Sequence, residues 1–397
     1  MSKVAKATLS LMLVTILSKA LGFGREIVLA STYGANMYTD AYLIAINIPI
    51  VLFATIGSAI ATTFIPMYYE VNSNVGERKA LKYTNNIFNI ILLICTSLTI
   101  LGLVFTDELV KLFAYGFNEQ TFNLTVSFVK VFMPGLIFIG ISNIMTAYLQ
   151  IKNNFIIPGI VSIPYNVIVI VSIILSAKYG FSILIWASLL AIISQFLLQY
   201  PFAVKSGYKY IPSIKFNDKY LKRTVTLIIP VFVGMAVNQI NTIVDRSLAS
   251  GLVEGTVTSL NYASKLDGFV TALFITSIIT VIYPILSKLS IDENKEKFNE
   301  SIVKSVNSVI ILVLPISIGA IVLAAPIVKL LFQRGEFSAE AASMTTSALA
   351  MYSIGMVAVG IRDVLSRVFY SLKDTKTPAI NGIIVVATNV TNRVIKH

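Results

Sequence analysis

The chain has 397 residues, 56% of them apolar and 13% charged, with a mean hydropathy of +0.81, so too little polar surface is left to face water and a soluble enzyme, a collagen and a disordered chain are all excluded. One cysteine, Cys95, excludes an internal disulfide, and one histidine, His397, leaves no imidazole set for metal or acid–base work. The formal net charge of +12 would suggest nucleic acid in a soluble protein; here most of it falls in short loops, where it sets membrane orientation, and no nucleic-acid partner is expected. In chain order, apolar runs bounded by charge clusters and Gly/Pro/Asn punctuation predict membrane spans near 7–32, 40–66, 84–106, 124–150, 155–177 and 181–204. A second set follows near 224–250, 257–287, 305–332, 341–371 and 378–396, which makes eleven. Continuous apolar runs rather than ten-residue alternation predict an all-α polytopic membrane protein.

With the amino terminus in the cytoplasm, the inside segments hold eighteen Lys and Arg and the outside loops four. The asymmetry is led by Lys205, Lys209, Lys215, Lys219, Lys222 and Arg223 in the middle loop, and it predicts a cytoplasmic amino terminus. A plain topology signal is one reading of that cluster, and a site for anionic membrane lipid is the other. Lys3 and Lys6 before an apolar run also resemble a signal peptide, but Lys19 follows and no small-residue cleavage site appears.

The sequence repeats itself. Ser58, Ile60, Thr62 and Pro66 align with Thr276, Ile278, Thr280 and Pro284 at an offset of 218, and Val110-Lys111-Leu112 aligns with Val328-Lys329-Leu330. At 220 to 222, Tyr148 to Pro158 matches Tyr370 to Pro378. Two six-helix-type repeats are expected, related by an axis along the membrane normal, with a site between halves as in several transporters. The domain reading is an N-terminal lobe at 1–204, a basic inter-lobe loop at 205–223 and an incomplete C-terminal lobe at 224–397. Only 174 residues follow Arg223 where a full second copy needs about 220, so the final helices are expected to be missing.

Seven basic residues fall inside spans: Lys19, Arg25, Lys130, Arg246, Lys265, Arg362 and Arg367. Each costs roughly 2.5 to 3.5 kcal/mol at mid-bilayer, so such groups face a bundle interior or a watery cavity. Arg25-Glu26 in the first copy corresponds to Asp245-Arg246 in the second. Structural pairing and snorkelling are the plain readings, and they are favoured for Lys130 and Arg367. A functional role is favoured for Lys19, Arg25, Asp40, Asp245 and Lys265. Gly22 and Gly24 loosen the helix beside Arg25. Excess basic charge in a cavity predicts an anionic ligand, with phosphate the commonest, and no catalytic motif appears.

The stretch Ser18-Lys19-Ala20-Leu21-Gly22-Phe23-Gly24-Arg25-Glu26, with Gly34, Thr39-Asp40-Ala41-Tyr42, Ile48-Pro49 and Phe64-Ile65-Pro66, resembles the first two spans of the MurJ (MviN) lipid II flippases. So do Arg334-Gly335-Glu336-Phe337 and Phe369-Tyr370-Ser371-Leu372-Lys373-Asp374-Thr375-Lys376-Thr377-Pro378. The resemblance implies a fourteen-helix, V-shaped, two-lobe fold of the multidrug/oligosaccharidyl-lipid/polysaccharide exporter superfamily, whose final helices, including the two that form a groove for the lipid tail, would be lacking here. It implies a bacterial plasma-membrane transporter without covalent chemistry that moves lipid II outward by alternating access. Other polyprenyl-linked oligosaccharides, and cation-coupled drug export, are the alternatives. The diphosphate-binding residues carried over are Lys19, Arg25 and Lys265, and Glu26, Asp40, Asp245 and Arg246 form the accompanying charge network. No cofactor is implied beyond coupling to the membrane potential or to sodium, the latter on Asp245 and Asn389. Membrane lipids and cell-wall synthesis enzymes are the implied partners. The sequence departs from the family at Lys19 and Lys265, usually arginines, around Phe53-Ala54, which lack the usual arginine, and at Arg393, where an acid is expected.

Overall fold

The computed structural model describes residues 3–291, 295–372, 374 and 376–394, and among them there are helices and no strands. Two compact units are present. The first comprises the chain up to Thr32 and Met37–Leu252. It contains α1 (Lys3–Tyr33, without its last residue), α2 (Met37–Val75), α3 (Glu77–Val104), α4 (Thr106–Phe113) and α5 (Glu119–Phe132). It continues through α6 (Gly135–Ile151), α7 (Ile156–Ile160), α8 (Ser162–Tyr179), α9 (Ser182–Lys205) and α10 (Lys219–Ser250). The second unit takes Tyr33–Asn36 and the chain from Val253. Its elements are α11 (Thr256–Val270), a π-turn at Thr271–Ile275, α12 (Thr276–Ile291), α13 (Lys295–Val322), α14 (Ala324–Leu331), α15 (Ala339–Ser371) and α16 (Lys376–Val394).

Among the described residues, six helical segments are long and apolar enough to cross a bilayer: α2 over Met37–Gly57, α3, α7–α8, α9, α13 and α15. The pair α5–α6, bent by 44°, makes a seventh when taken as one span. Pro134 causes that bend, because it lacks an N–H and clashes with the preceding turn. The Met133 carbonyl at the bend accepts from Thr99 Oγ1 at 3.1 Å and from the Leu136 N–H at 3.0 Å. With no water in the hydrocarbon, this is what makes a broken span tolerable. The other side of these helices is bare hydrocarbon: Ile100, Val104, Trp186, Leu190 and Leu197 are all more than half exposed. In a bilayer, lipid covers them.

α2 is the inner helix of the first unit. Its apolar window is 72% buried within the protein, against 28% to 39% for the other five spans. Ile44, Ile48, Phe53 and Phe64 are packed against α3, α5, α6 and α10. α10 opens the second sequence copy near 224, yet it lies along α2 and belongs to the first compact unit, which runs on to Leu252. In the second unit, Ile275, Val309, Val313, Met356 and Val364 form the core between α12, α13 and α15.

The repeat is visible in the helix ends. Asn118 caps α5 by accepting from Thr121 N–H at 2.8 Å, and at the corresponding place in the second copy Ser338 caps α15 by accepting from Ala341 N–H at 3.1 Å. Asn154 accepts from the Ile157 N–H at 3.3 Å, and its counterpart Asp374 accepts from the Thr377 N–H at 3.0 Å. The short helices α4 and α14 each follow a break in a longer one, again at matching places in the two copies.

Candidate functional site

Four residues after Leu21, α1 carries Arg25, whose Nη2 meets Glu26 Oε1 at 2.5 Å. The side chains are 20% and 4% exposed, so this is an ion pair held inside the protein. A buried charge needs such a partner, since removal from water costs several kcal/mol per ion. The guanidinium also lies 5.4 Å from the centre of the Tyr165 ring on α8, a cation–π contact that a flat Arg makes well. Two turns earlier on α1, Ser18 Oγ donates to the Gly159 carbonyl at 3.2 Å, and Tyr42 and Ser188 share a hydrogen bond of 3.0 Å. Gly22 faces the Asn166 amide, so the small residue lets α1 come close to a polar side chain of α8. A guanidinium with a ring face on one side and a carboxylate on the other can still offer N–H donors to an oxyanion.

The remaining sequence candidates divide. Lys19 is exposed and takes part in no ion pair among the described residues. Six positions before Arg25, it lies about 9 Å along the axis and about 120° around an ideal helix from it, a separation that two long side chains can bridge. Asp40 is buried near the start of α2 beside the fully buried Thr39. Asp245 is exposed and accepts from Asn241 Nδ2 at 3.3 Å, and Arg246 is half-buried next to it. Lys265, in the second unit, is exposed on α11, six residues before the π-turn. Such turns cluster at functional sites. The side chains of Asn389 and Arg393 lie outside the described residues. No group of three or more His, Cys, Asp or Glu stands together among the described residues. Lys130 is exposed, and Arg362 pairs with Asp363 at 2.8 Å. Arg367 lies over two rings, Tyr283 at 5.5 Å and Tyr370 at 5.9 Å.

Sequence reasoning missed Tyr165, Tyr42 and Ser188. The available signal was a tyrosine in mid-span, since a phenol in hydrocarbon needs a polar partner.

Helical throughout its described residues, with six to seven apolar spans among them and a buried ion pair in its first helix, the chain has the architecture of a multi-pass membrane protein. A multidrug resistance MATE family transporter in an inward-facing conformation superimposes with a TM-score of 0.69 at 15% identity over 95% of this chain and 87% of that one, which establishes the fold alone. The family model for the lipid II flippase MurJ matches residues 29–395, and this chain belongs to that family. It is similar to a "Probable lipid II flippase MurJ" of Buchnera aphidicola, 29% identical over 98% of this chain and 77% of the relative. It is also similar to the lipid II flippase MurJ of Burkholderia cenocepacia, at 27% over 96% and 76%. A solved structure of a lipid II flippase MurJ in an inward closed conformation superimposes with a TM-score of 0.85 at 29% identity, covering 97% of this chain and 80% of that one.

Proposed function

We propose that this chain is a lipid II flippase that moves the undecaprenyl-diphosphate-linked peptidoglycan precursor from the cytoplasmic to the outer leaflet of the bacterial plasma membrane by alternating access. The observation that carries the reading is the buried Arg25–Glu26 pair beside Tyr165, in a member of the MurJ family. In that role Arg25, Lys19 and Lys265 hold the diphosphate, and Glu26, Asp40, Asp245 and Arg246 balance the cations when the substrate leaves. The protein transports without covalent chemistry.

The remaining long helices, α1, α10, α11–α12 and α16, then cross the membrane too, which gives eleven spans with the amino terminus in the cytoplasm. Charged residues within them lower the hydropathy of each window and account for a weaker apolar signal. Membrane potential or sodium drives the cycle, with Asp245 the first candidate ligand, and cell-wall synthesis enzymes receive the product.

The test is transbilayer movement of fluorescent lipid II in proteoliposomes containing the full chain. Flipping by the wild type and its loss in Arg25→Gln, with both proteins inserted equally, is expected. Flipping by Arg25→Gln at the wild-type rate would overturn the assignment of the site. Replacing sodium by choline in the same vesicles tests the coupling ion.

A further inference from the structure

The middle loop, which carries more Lys and Arg than any other loop, is fastened to the amino-terminal half of α3. Residues 208–215 form an irregular segment there, held by three buried asparagines. Asn85 donates to the Lys209 carbonyl at 2.9 Å and accepts from the Ile211 N–H at 2.8 Å. Asn86 donates to the Lys215 carbonyl at 3.0 Å and accepts from the Lys215 N–H at 2.8 Å. Asn89 donates to the carbonyls of Ile211 at 2.9 Å and Ser213 at 3.0 Å.

Alternate residues of this segment line different cavities, and the alternation sorts the chemistry. Ile211, Ser213 and Lys215 line a cavity of about 470 Å³ whose walls also carry Lys79, Lys82 and Lys219. Tyr210, Pro212 and Ile214 line a second cavity, of about 310 Å³, with Leu92, Leu93 and Thr96 of α3. The one carboxylate on the first cavity, Asp218, is occupied in capping α10: its Oδ1 accepts from the N–H groups of Tyr220 at 2.8 Å and Leu221 at 3.1 Å. None of the four lysines enters an ion pair among the described residues.

We propose that the two cavities form one site for an anionic glycerophospholipid, with its phosphate among Lys79, Lys82, Lys215 and Lys219 and an acyl chain along Leu92, Leu93 and Ile214. Four cations facing one committed carboxylate call for an anion. A zwitterionic headgroup would bring a further cation into the same space. The apolar groove, on the lipid-exposed side of a candidate span, distinguishes a lipid from free phosphate: Leu93 is 47% and Ile214 43% exposed. The site uses none of the residues proposed to hold the diphosphate, and it assigns the basic loop a ligand of its own.

The test uses the full chain purified in detergent, with phosphatidylglycerol and phosphatidylcholine offered in equal amounts and bound lipid counted by native mass spectrometry. The wild type should retain at least tenfold more phosphatidylglycerol. The exposed-lysine variant Lys79→Gln/Lys82→Gln/Lys215→Gln/Lys219→Gln should lose that preference, as should the single reversal Lys82→Glu in part. Leu92→Trp, which fills the groove, should weaken retention about tenfold while the lysines remain. Equal retention of the two lipids by the wild type, or an unchanged preference in the quadruple variant, would overturn the site. Complete displacement of phosphatidylglycerol by millimolar inorganic phosphate, with full retention in Leu92→Trp, would make it a free-phosphate site and overturn the lipid assignment.

Discussion

Arg25 and Glu26 are consecutive on α1, yet their charged groups meet at 2.5 Å. Neighbours on a helix point about 100° apart and do not normally face each other. The contact therefore requires the long arginine to curl back, and the Tyr165 ring bounds the guanidinium where it does so. Arg25→Ala removes the cation from beside a carboxylate whose side chain is only 4% exposed. It should cost on the order of 3 kcal/mol of stability as well as transport. The double variant Arg25→Gln/Glu26→Gln removes both charges. Thermal unfolding in detergent should show it closer to the wild type than Arg25→Ala, while lipid II movement stays lost.

Lys19 is exposed on α1. Lys19→Arg keeps the charge and adds the bidentate fork, so flipping in proteoliposomes should persist or rise. Lys19→Gln removes a charge-assisted contact to phosphate and should weaken substrate binding about tenfold or more. Competition with unlabelled lipid II measures both.

Asn85 satisfies two backbone groups of the loop segment and also accepts from Tyr208 Oη at 3.2 Å. Asn85→Leu fits the volume but strands the Ile211 N–H and the Lys209 carbonyl, a cost of roughly 2 kcal/mol felt locally. Trypsin should then cut at Lys209 and Lys215, which the wild type protects. Asn85→Asp keeps the acceptor for Ile211 and should give an intermediate rate.

The helical, multi-span character was legible because a run of apolar residues about twenty long has few other fates. The internal repeat was legible too, because Pro66 recurs as Pro284 and Tyr148 as Tyr370 at nearly the same offset, 218 and 222 residues. The companions of Arg25 were not. Tyr165 is far away along the chain, and nothing local to Pro164-Tyr165 says which helix its ring will face. Nor does the sequence say that α10 packs along α2, within the first compact unit. The loop latch was missed for a different reason. Asn85, Asn86 and Asn89 read as ordinary punctuation at a span end, and only the path of residues 208–215 turns them into a set of paired amides.

Asp374, half-buried in the connection before α16, accepts from Thr377 Oγ1 at 2.6 Å and from the N–H groups of Thr377 and Lys376, each at 3.0 Å. These bonds, that to the Thr377 hydroxyl foremost, hold its carboxyl below the ordinary aspartate value. A lowered folded-state pKa means that the cap stabilises α16 fully above about pH 4 and loses that contribution as pH falls through the folded value. Amide exchange over 376–380 in nanodiscs, corrected for the intrinsic rate, should quicken relative to the rest of the chain as pH drops below about 4. Asp374→Ala should show the faster exchange at neutral pH and no further change on acidification.

The paired caps also say what kind of memory a duplicated membrane protein keeps. Asn118 and Ser338 hold the same post, as do Asn154 and Asp374, and in neither pair is the residue the same. Along the lipid-facing stretches almost any hydrocarbon side chain serves, so the two copies are free to drift apart in spelling. At a helix start the exposed N–H groups accept only the few short side chains that offer an oxygen. Ancestry is thus written in grammar rather than vocabulary. Hybrids that exchange segments between the two copies are better joined at these oxygen-bearing starts than within the apolar runs.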